Sequence, residues 1–509
     1  MLGRSTGAVL VGVEARLIEV EVDLGGGLPT IAAVGLPDTA VREGIDRVRA
    51  ALGNAGFALP QRRIIVNLAP ADVRKQGAAL DLPIAVALLA ADGQLPRGRP
   101  RETVLAGELA LDGRLRPVRG ALSIAMAAAD AGRKRLLVPR DNADEAALVG
   151  GLSVVPLDGL ADVAAALRSR TRAGRSDRNG QILLEQARRC PPAADLAEVR
   201  GQAGARRALE IGAAGGHHLL LYGPPGSGKT MLASRLPGIL PPMDLEEALA
   251  VTLVWSAAGH SHGLVTERPF RAPHHGISFV GMTGGGSTIR PGEISMASQG
   301  VLYLDELTEF RRDALESLRQ PLEEGCITVV RLRSSATFPA RFMLVASMNP
   351  CPCGHHGAGD DRCSCTPRQI QRYLARLSGP LLDRFDLLVD VPALDLEMMA
   401  DRPRGERSNE VRARVVQARE IQRERFRGSD TRCNAQMTPA ELDRFVAVEP
   451  DARRLLGASA RRLGLSARGY DRVRRVARTL ADLEGGKTVG RRQIAEAMQY
   501  RQKNPRGSR

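Results

Sequence analysis

Aromatic side chains are scarce in this chain: nine Phe, five Tyr and one Trp among 509 residues, 3% in all. Its cores must therefore be filled by Leu, Val, Ile and Ala, drawn from the 43% of residues that are hydrophobic. Cysteine is sparse too, and seven in a chain of this length argue against a disulfide-built scaffold. No apolar run is long enough to span a bilayer. The run from Ala8 to Val13 is followed by Glu14 and Arg16, so it reads as a strand rather than a signal core. These absences predict a cytoplasmic protein with no membrane partner. Acidic charge is in deficit, 57 Asp and Glu against 72 Lys and Arg, for a net charge of +15. From Asp401 onward 27 Lys and Arg face 14 Asp and Glu, so +13 of that +15 lies in the C-terminal part. Such an excess suits a polyanion such as DNA, although arginine spread over solvated helix faces would look the same.

The chain does carry a complete phosphate-binding loop. Gly223, Pro224, Pro225, Gly226, Ser227, Gly228, Lys229 and Thr230 follow the apolar run Leu219-Leu220-Leu221-Tyr222. Strand, glycine loop and helix start is the context such a loop needs. Its backbone N–H groups can cradle phosphate oxygens. Lys229 can reach the outer phosphates, and the Thr230 hydroxyl can hold Mg²⁺. The dipole of the helix opening at Lys229 adds positive potential.

Further strands complete the expected site. Val301-Leu302-Tyr303-Leu304 is a parallel-strand run that ends in Asp305-Glu306. Asp305 suits a water-mediated Mg²⁺ contact, and Glu306 can orient and deprotonate an attacking water. The Phe342–Met348 run ends in Asn349, whose amide could meet that water or the γ-phosphate. Downstream stands Gly379-Pro380-Leu381-Leu382-Asp383-Arg384-Phe385-Asp386. The planar, permanently charged Arg384 suits phosphate oxygens; the bland reading is a salt bridge to Asp383 or Asp386.

These motifs, with Met-Asn-Pro-Cys-Pro-Cys-Gly from Met348, Arg-Ala-Pro-His-His from Arg271 and Pro-Gly-Glu-Ile-Ser from Pro291, occur in an order that resembles the magnesium-chelatase-like AAA+ ATPases of the ComM/YifB type. The resemblance runs from about Gly7 to about Arg501. It implies an α/β fold: an AAA+ P-loop ATPase core with a C-terminal helical lid, preceded by a Lon-protease-like, ribosomal S5-type α+β domain. It also implies roles. Asn349 resembles a first sensor, Arg384 an arginine finger reaching a neighbouring subunit's ATP, and Arg468 a second sensor on the lid, with Arg472 one turn on. Asp195 to Gln202 resembles the segment that packs on adenine. The implied assembly is a hexameric ring using ATP and Mg²⁺.

The expected domains are 1–166, Lon-protease-like; 167–194, a basic linker containing Arg168 to Arg178; 195–395, the ATPase core; and 396–509, the helical lid with a basic tail. By the resemblance, Lon's catalytic serine and lysine positions fall at Ala79 and Leu122, which cannot form or activate a nucleophile. No peptidase activity is expected, although Ser123 and Lys75 lie nearby in sequence. A hairpin with an arginine-bearing tip is expected between Ile327 and Pro339, and Thr283 to Arg290 forms a second candidate channel loop. His274 and His275 read as positioning residues.

Cys351-Pro352-Cys353 and Cys363-Ser364-Cys365 form two C-x-C pairs. Four thiolates in a short, glycine-rich loop suit tetrahedral Zn²⁺, though the usual spacing is wider; a redox pair or chance clustering remains open. The function expected is an ATP-driven ring motor acting on single-stranded or branched DNA. By the family resemblance this would be branch migration in recombination or natural transformation. A chelatase-type metal-insertion motor and a nucleotide-gated adaptor are the alternatives.

Overall fold

The computed structural model describes residues 1–509 except 76, 97, 170–178, 189–193, 261–262, 287, 332–333, 358–361, 394–404 and 503–509. Half of the expected basic linker and the tip of the arginine hairpin, Leu332 and Arg333, thus lie outside the described residues.

Strands β1 (Leu2–Val11) and β2 (Glu14–Gly25) form a long antiparallel hairpin. Gly12, at φ +68°, opens its two-residue turn, a conformation that glycine adopts without strain. There follow β3 (Ile31–Val34), α1 (Thr39–Asn54), β4 (Arg63–Ala69), α2 (Asp81–Ala91), β5 (Thr103–Leu105), α3 (Ala121–Asp130), β6 (Arg135–Pro139) and β7 (Ser153–Leu157). The strands make a mixed seven-stranded sheet in the order β3-β4-β2-β1-β5-β6-β7. Helix α2 is apolar on nearly every side and buried along its whole length, as a helix without a polar face must be. Its one acid, Asp81, bonds Arg47 of α1 at 2.9 Å, yet burial still pushes the carboxyl up to about 6. Lys75 donates to the Pro70 carbonyl and the Ser123 hydroxyl to the Val13 carbonyl, so each is engaged elsewhere and they do not pair with one another.

The second half opens with α4 (Ala203–Gly215), β8 (Leu219–Tyr222), α5 (Lys229–Ile239) and α6 (Leu245–Ala258). It continues through β9 (Phe270–Arg271), β10 (Val301–Leu304), the β11 (Cys326–Arg331) and β12 (Ser334–Pro339) hairpin, β13 (Met343–Met348) and β14 (Leu387–Asp390). Strands β9-β10-β13-β8-β14 form an all-parallel sheet in that order. Because helices cover both faces, these strands are apolar at successive positions; Val301–Leu304 and Met343–Met348 are buried throughout. The register pairs Tyr222 with Met348 and Leu304 with Ala346, so the strands finish together at one edge.

Helices α7 (Ser408–Arg425), α8 (Pro450–Arg462), α9 (Ala467–Leu483) and α10 (Arg491–Gln502) complete the chain. Val473, Val476, Ala477 and Leu480 bury one face of α9 in a core shared with α4 and the parallel sheet. Arg472 and Arg478, at the edges of that face, are only 9% and 1% exposed. Each is buried with an acid: Arg472 with Asp386 at 3.2 Å, Arg478 with Asp482 at 2.7 Å. Helical spacing marks which positions face inward and sets Asp482 one turn after Arg478, but it cannot say that Asp386, from another element, waits for Arg472. The two halves meet at α3 and α6: Glu145 accepts from the Leu122 N–H at 2.7 Å and from the Ser256 hydroxyl, and Gly120 N–H donates to the Ser256 carbonyl at 3.1 Å. Among the described residues no helix is long and apolar enough to cross a membrane.

Candidate functional site

Ligands of parallel α/β sheets bind beyond the carboxyl ends of the strands. At that edge a cavity of about 340 Å³ is lined by Pro225 to Met231, by Asp305 and Glu306, and by Ser347, Met348 and Asn349. Gly223 has to be glycine: a Cβ there would sit 2.0 Å from the Val391 carbonyl oxygen. Gly226 and Gly228 turn the loop at φ +74° and +87°, in the left-handed region that disfavours other residues. The loop then delivers Lys229 into the first turn of α5.

Lys229 Nζ donates to the carbonyls of Gly223 and Pro224 at 2.8 and 2.7 Å and to Asn349 Oδ1 at 3.1 Å. Burial lowers its pKa, against the opposing pull of Asp305 and Glu306. Thr230 Oγ1 donates to Asp305 Oδ2 at 2.9 Å, so two Mg²⁺-type oxygens from different elements already converge. Asp305 also accepts from the Tyr303 hydroxyl at 3.0 Å, from Ser347 Oγ and from the Glu306 N–H at 3.1 Å. Burial resists its ionisation, but the hydroxyls of Ser347, Thr230 and Tyr303 outweigh that and hold the carboxyl below its ordinary range. A carboxylate favoured in its ionised form beside a hydroxyl fits Mg²⁺, a hard ion that prefers oxygen.

Glu306 sits at φ +53°, left-handed for a non-glycine residue, and its side chain is 55% exposed to the cavity side. His275 Nδ1 lies 3.8 Å from Glu306 Oε2, and the His274 ring, tilted by 34°, has its centroid 4.0 Å from that of His275. A side chain free to reach a water, on a backbone held in a strained state, is the arrangement a catalytic base requires.

The structure thus brings together Gly223–Thr230, Asp305, Glu306 and Asn349, and leaves two predicted residues apart. Arg384 does not line the cavity. Its guanidinium donates to the Pro380 carbonyl at 2.7 Å and pairs with Glu323, not with Asp383 or Asp386 as the bland reading supposed. Arg468 is exposed on the first turn of α9, also away from the cavity. Its neighbour Arg472 is locked onto Asp386, which accepts from His217 Nδ1 at 3.2 Å as well. Gln202, closing the segment expected at adenine, donates to Pro392 and Ser227 carbonyls and so ties that segment to the phosphate loop.

Sequence reasoning missed Tyr303 and Ser347, and it read His275 as a positioning residue without giving it a partner. Tyr303 was findable, since residues two apart on a strand share a face and it stands two before Asp305. Ser347 is the lone polar residue buried in β13, another usable signal. Nothing in the sequence placed His275 against Glu306.

The four predicted cysteines also meet: Cys351, Cys353, Cys363 and Cys365 hold their sulfurs within 4.8 Å of one another, a set that could bind a metal. A larger cavity, about 660 Å³, opens at the opposite edge of the sheet around Pro241, Arg268 and Arg419. Among the described residues it is lined by neither the phosphate loop nor the Asp305-Glu306 pair, which both line the smaller cavity.

Comparison with known proteins agrees with this geometry. The family described as magnesium chelatase, subunit ChlI, matches residues 195–399; subunit ChlI of Mg-chelatase matches 20–142; and its C-terminal family matches 405–501. Competence protein ComM of Haemophilus influenzae is 44% identical over 498 residues, 96% of each chain. The chain belongs to the magnesium-chelatase-like ComM/YifB family. Protein YifB of Escherichia coli is 45% identical over 494 residues, 96% of this chain and 95% of its own. The magnesium-chelatase 38 kDa subunit of Rhodobacter capsulatus is a more distant relative, 26% identical over 54% of this chain and 76% of its own. The parallel sheet and C-terminal helices are therefore the AAA+ fold of the ComM/YifB family, which implies use of ATP and Mg²⁺.

Proposed function

We propose that this ComM/YifB-family chain is the subunit of an ATP-hydrolysing ring motor that acts on DNA, a branch-migration helicase or translocase of recombination or natural transformation. The observation that carries the ATPase part is the convergence of Lys229, Thr230–Asp305, Glu306 and Asn349 on one cavity. In this reading Lys229 and the loop N–H groups hold the phosphates, and Asn349 fixes the Lys229 amine. Glu306 takes the proton of the attacking water, and bound Mg²⁺ would neutralise charge on the β- and γ-oxygens. Arg384 stands off its own cavity, as a residue serving a neighbour's ATP must, and Glu323 holds it until assembly. Arg468 is proposed as the lid's sensor. A hexamer is the assembly the family resemblance suggests.

DNA is favoured by charge. Arg331 of the β11–β12 hairpin reaches over the loop that follows Thr283: a Cβ built on Gly285 would lie 2.7 Å from its guanidinium. At the same surface Arg119 is disfavoured in its charged form by burial and by the nearby Arg290. Two candidate channel loops and a seam arginine thus gather positive charge where a phosphate chain would relieve repulsion. The name competence protein borne by the Haemophilus relative accords with uptake of DNA. ATP turnover measured alone and with single-stranded, duplex and forked DNA tests the reading. Stimulation, with binding that weakens steeply as salt rises, is expected; no stimulation and no salt-sensitive binding would defeat it.

A second reading is a chelatase-type motor that drives metal insertion, favoured by the likeness to the Rhodobacter subunit. It predicts ATP turnover indifferent to DNA and capture of a tetrapyrrole-binding partner.

A further inference from the structure

The loop leaving the Asn349 strand has almost nothing to fold around. Between Cys351 and Cys365 it holds glycines, histidines and acids, and its second glycine, Gly357, is left-handed at φ +76°. What it does have is four sulfurs drawn to one point. Cys351 Sγ lies 3.3 Å from Cys353 Sγ and 3.8 Å from Cys363 Sγ, and Cys353 and Cys363 are 3.7 Å apart. All four fall within 4.8 Å of one another. A disulfide needs about 2.05 Å, so none of these pairs is one. Four thiolates about 2.3 Å from a tetrahedral Zn²⁺ stand roughly 3.8 Å apart, which is close to the spacing found. The His356 N–H points at Cys351 Sγ at 3.4 Å, a backbone donor of the kind that stabilises thiolate charge.

The position of the cluster is what gives it consequence. Cys351 is fully buried two residues after Asn349. Gly354, at φ +85°, presses its backbone onto the phosphate loop: a Cβ there would lie 2.5 Å from Pro225 Cδ. Cys365 immediately precedes Thr366, whose hydroxyl caps the helix Pro367–Ala375 that leads toward Arg384. One ion would therefore tie the sensor strand, the phosphate loop and the approach to the finger.

We infer that Cys351, Cys353, Cys363 and Cys365 form a Zn²⁺-tetrathiolate centre that clamps this loop against Pro225 and so holds the phosphate loop and Asn349 in position for ATP. This coupling rests on the ATPase reading, whereas the metal site itself does not.

Metal analysis of the full-length protein, purified without chelator, should give one zinc per chain. Replacing zinc by Co²⁺ should give a thiolate-to-cobalt charge-transfer band with tetrahedral d–d absorption. Cys353→Ser and Cys363→Ser should lose most of the zinc, whereas Lys229→Ala should keep all of it while losing ATP. Stripping the zinc from wild type should cut ATP turnover by about 10²-fold, the scale of a roughly 1 Å misplacement of reacting groups, and adding zinc back should restore it. No zinc in the wild type, iron with acid-labile sulfide in its place, or a cobalt spectrum without a thiolate band would each overturn the site. Zinc bound as expected but removable without change in ATP affinity or turnover would overturn the clamp alone. The cobalt spectrum, read on the unmutated chain, keeps the site testable if the serine variants fail to fold.

Discussion

Among single residues, Glu306 and Lys229 divide the work of the cavity differently, and their variants should separate. Glu306 is the exposed carboxylate at a left-handed backbone position. Glu306→Gln keeps its shape and removes its basicity, so turnover should fall by roughly 10²–10⁴-fold while a fluorescent ATP analogue still binds. Lys229→Ala removes the cation that bridges the loop to Asn349, so analogue binding itself should be lost. A Glu306→Gln enzyme with near-normal turnover would remove Glu306 from the role of base. His218 supplies a pH prediction. Burial pushes its imidazole down to about 4, and its Nδ1 accepts the Leu344 N–H at 3.0 Å, a bond protonation would break. The unfolded chain takes up that proton near pH 6.5 and the folded chain near 4, so the unfolded state binds more protons in between. Stability should therefore be complete above about pH 6.5 and fall as pH drops toward 4, by at most about 3 kcal/mol for this one group. Urea midpoints across that range check it, and His218→Gln should flatten the slope.

For the elements, the phosphate loop with α5, the Asp305 strand and the hairpin between Ile327 and Pro339 were legible in advance, because each is written locally: a glycine pattern, an apolar run, two β-type runs around a polar tip. The Val473–Leu480 face of α9 is legible for the same reason, since Val473, Val476, Ala477 and Leu480 recur at helical spacing. What α9 rests on is not. Asp482, near the C-terminal end of α9, is buried and accepts from Arg425, Arg478 and Asn434 at once. Arg478 lies one turn before Asp482 on the same helix, a spacing the sequence displays, but Arg425 and Asn434 come from separate segments that no spacing rule joins to it. Because Arg478 would be left buried and unpaired, Asp482→Ala should destabilise the lid by roughly 3–5 kcal/mol, read as a lower urea midpoint or an earlier lid transition. A surface acid such as Asp451, exposed beside Arg454, should cost well under that when replaced.

At the scale of the whole molecule, the decisive prediction is that activity belongs to a seam between copies. Arg384 lies outside its own chain's cavity and is held by Glu323. Arg384→Ala should lower turnover by about 10³–10⁵-fold if it acts as a finger, and mixing it with Lys229→Ala subunits should recover part of the loss. Mixtures no better than their components, or a specific activity unchanged on dilution to monomers, would refute the shared site. The N-terminal sheet belongs to this scale too. Its order, β3-β4-β2-β1-β5-β6-β7, joins strands from opposite ends of the first 157 residues.

By itself the sequence determined the chemistry available and the elements that bear it: the phosphate loop, the Asp305-Glu306 strand end, Asn349, the two cysteine pairs and the excess of arginine. Short motifs can do this because a loop's φ angles and a strand's face depend on neighbours in the chain. The tertiary structure alone decided the partners. It set Ser347 on Asp305, His275 by Glu306, Glu323 on Arg384, Asp386 under Arg472 and Gly354 against Pro225. Each of those contacts spans either a different strand or a different loop, and its energy comes from burying a charge or closing a gap that exists only once the sheet and lid have packed.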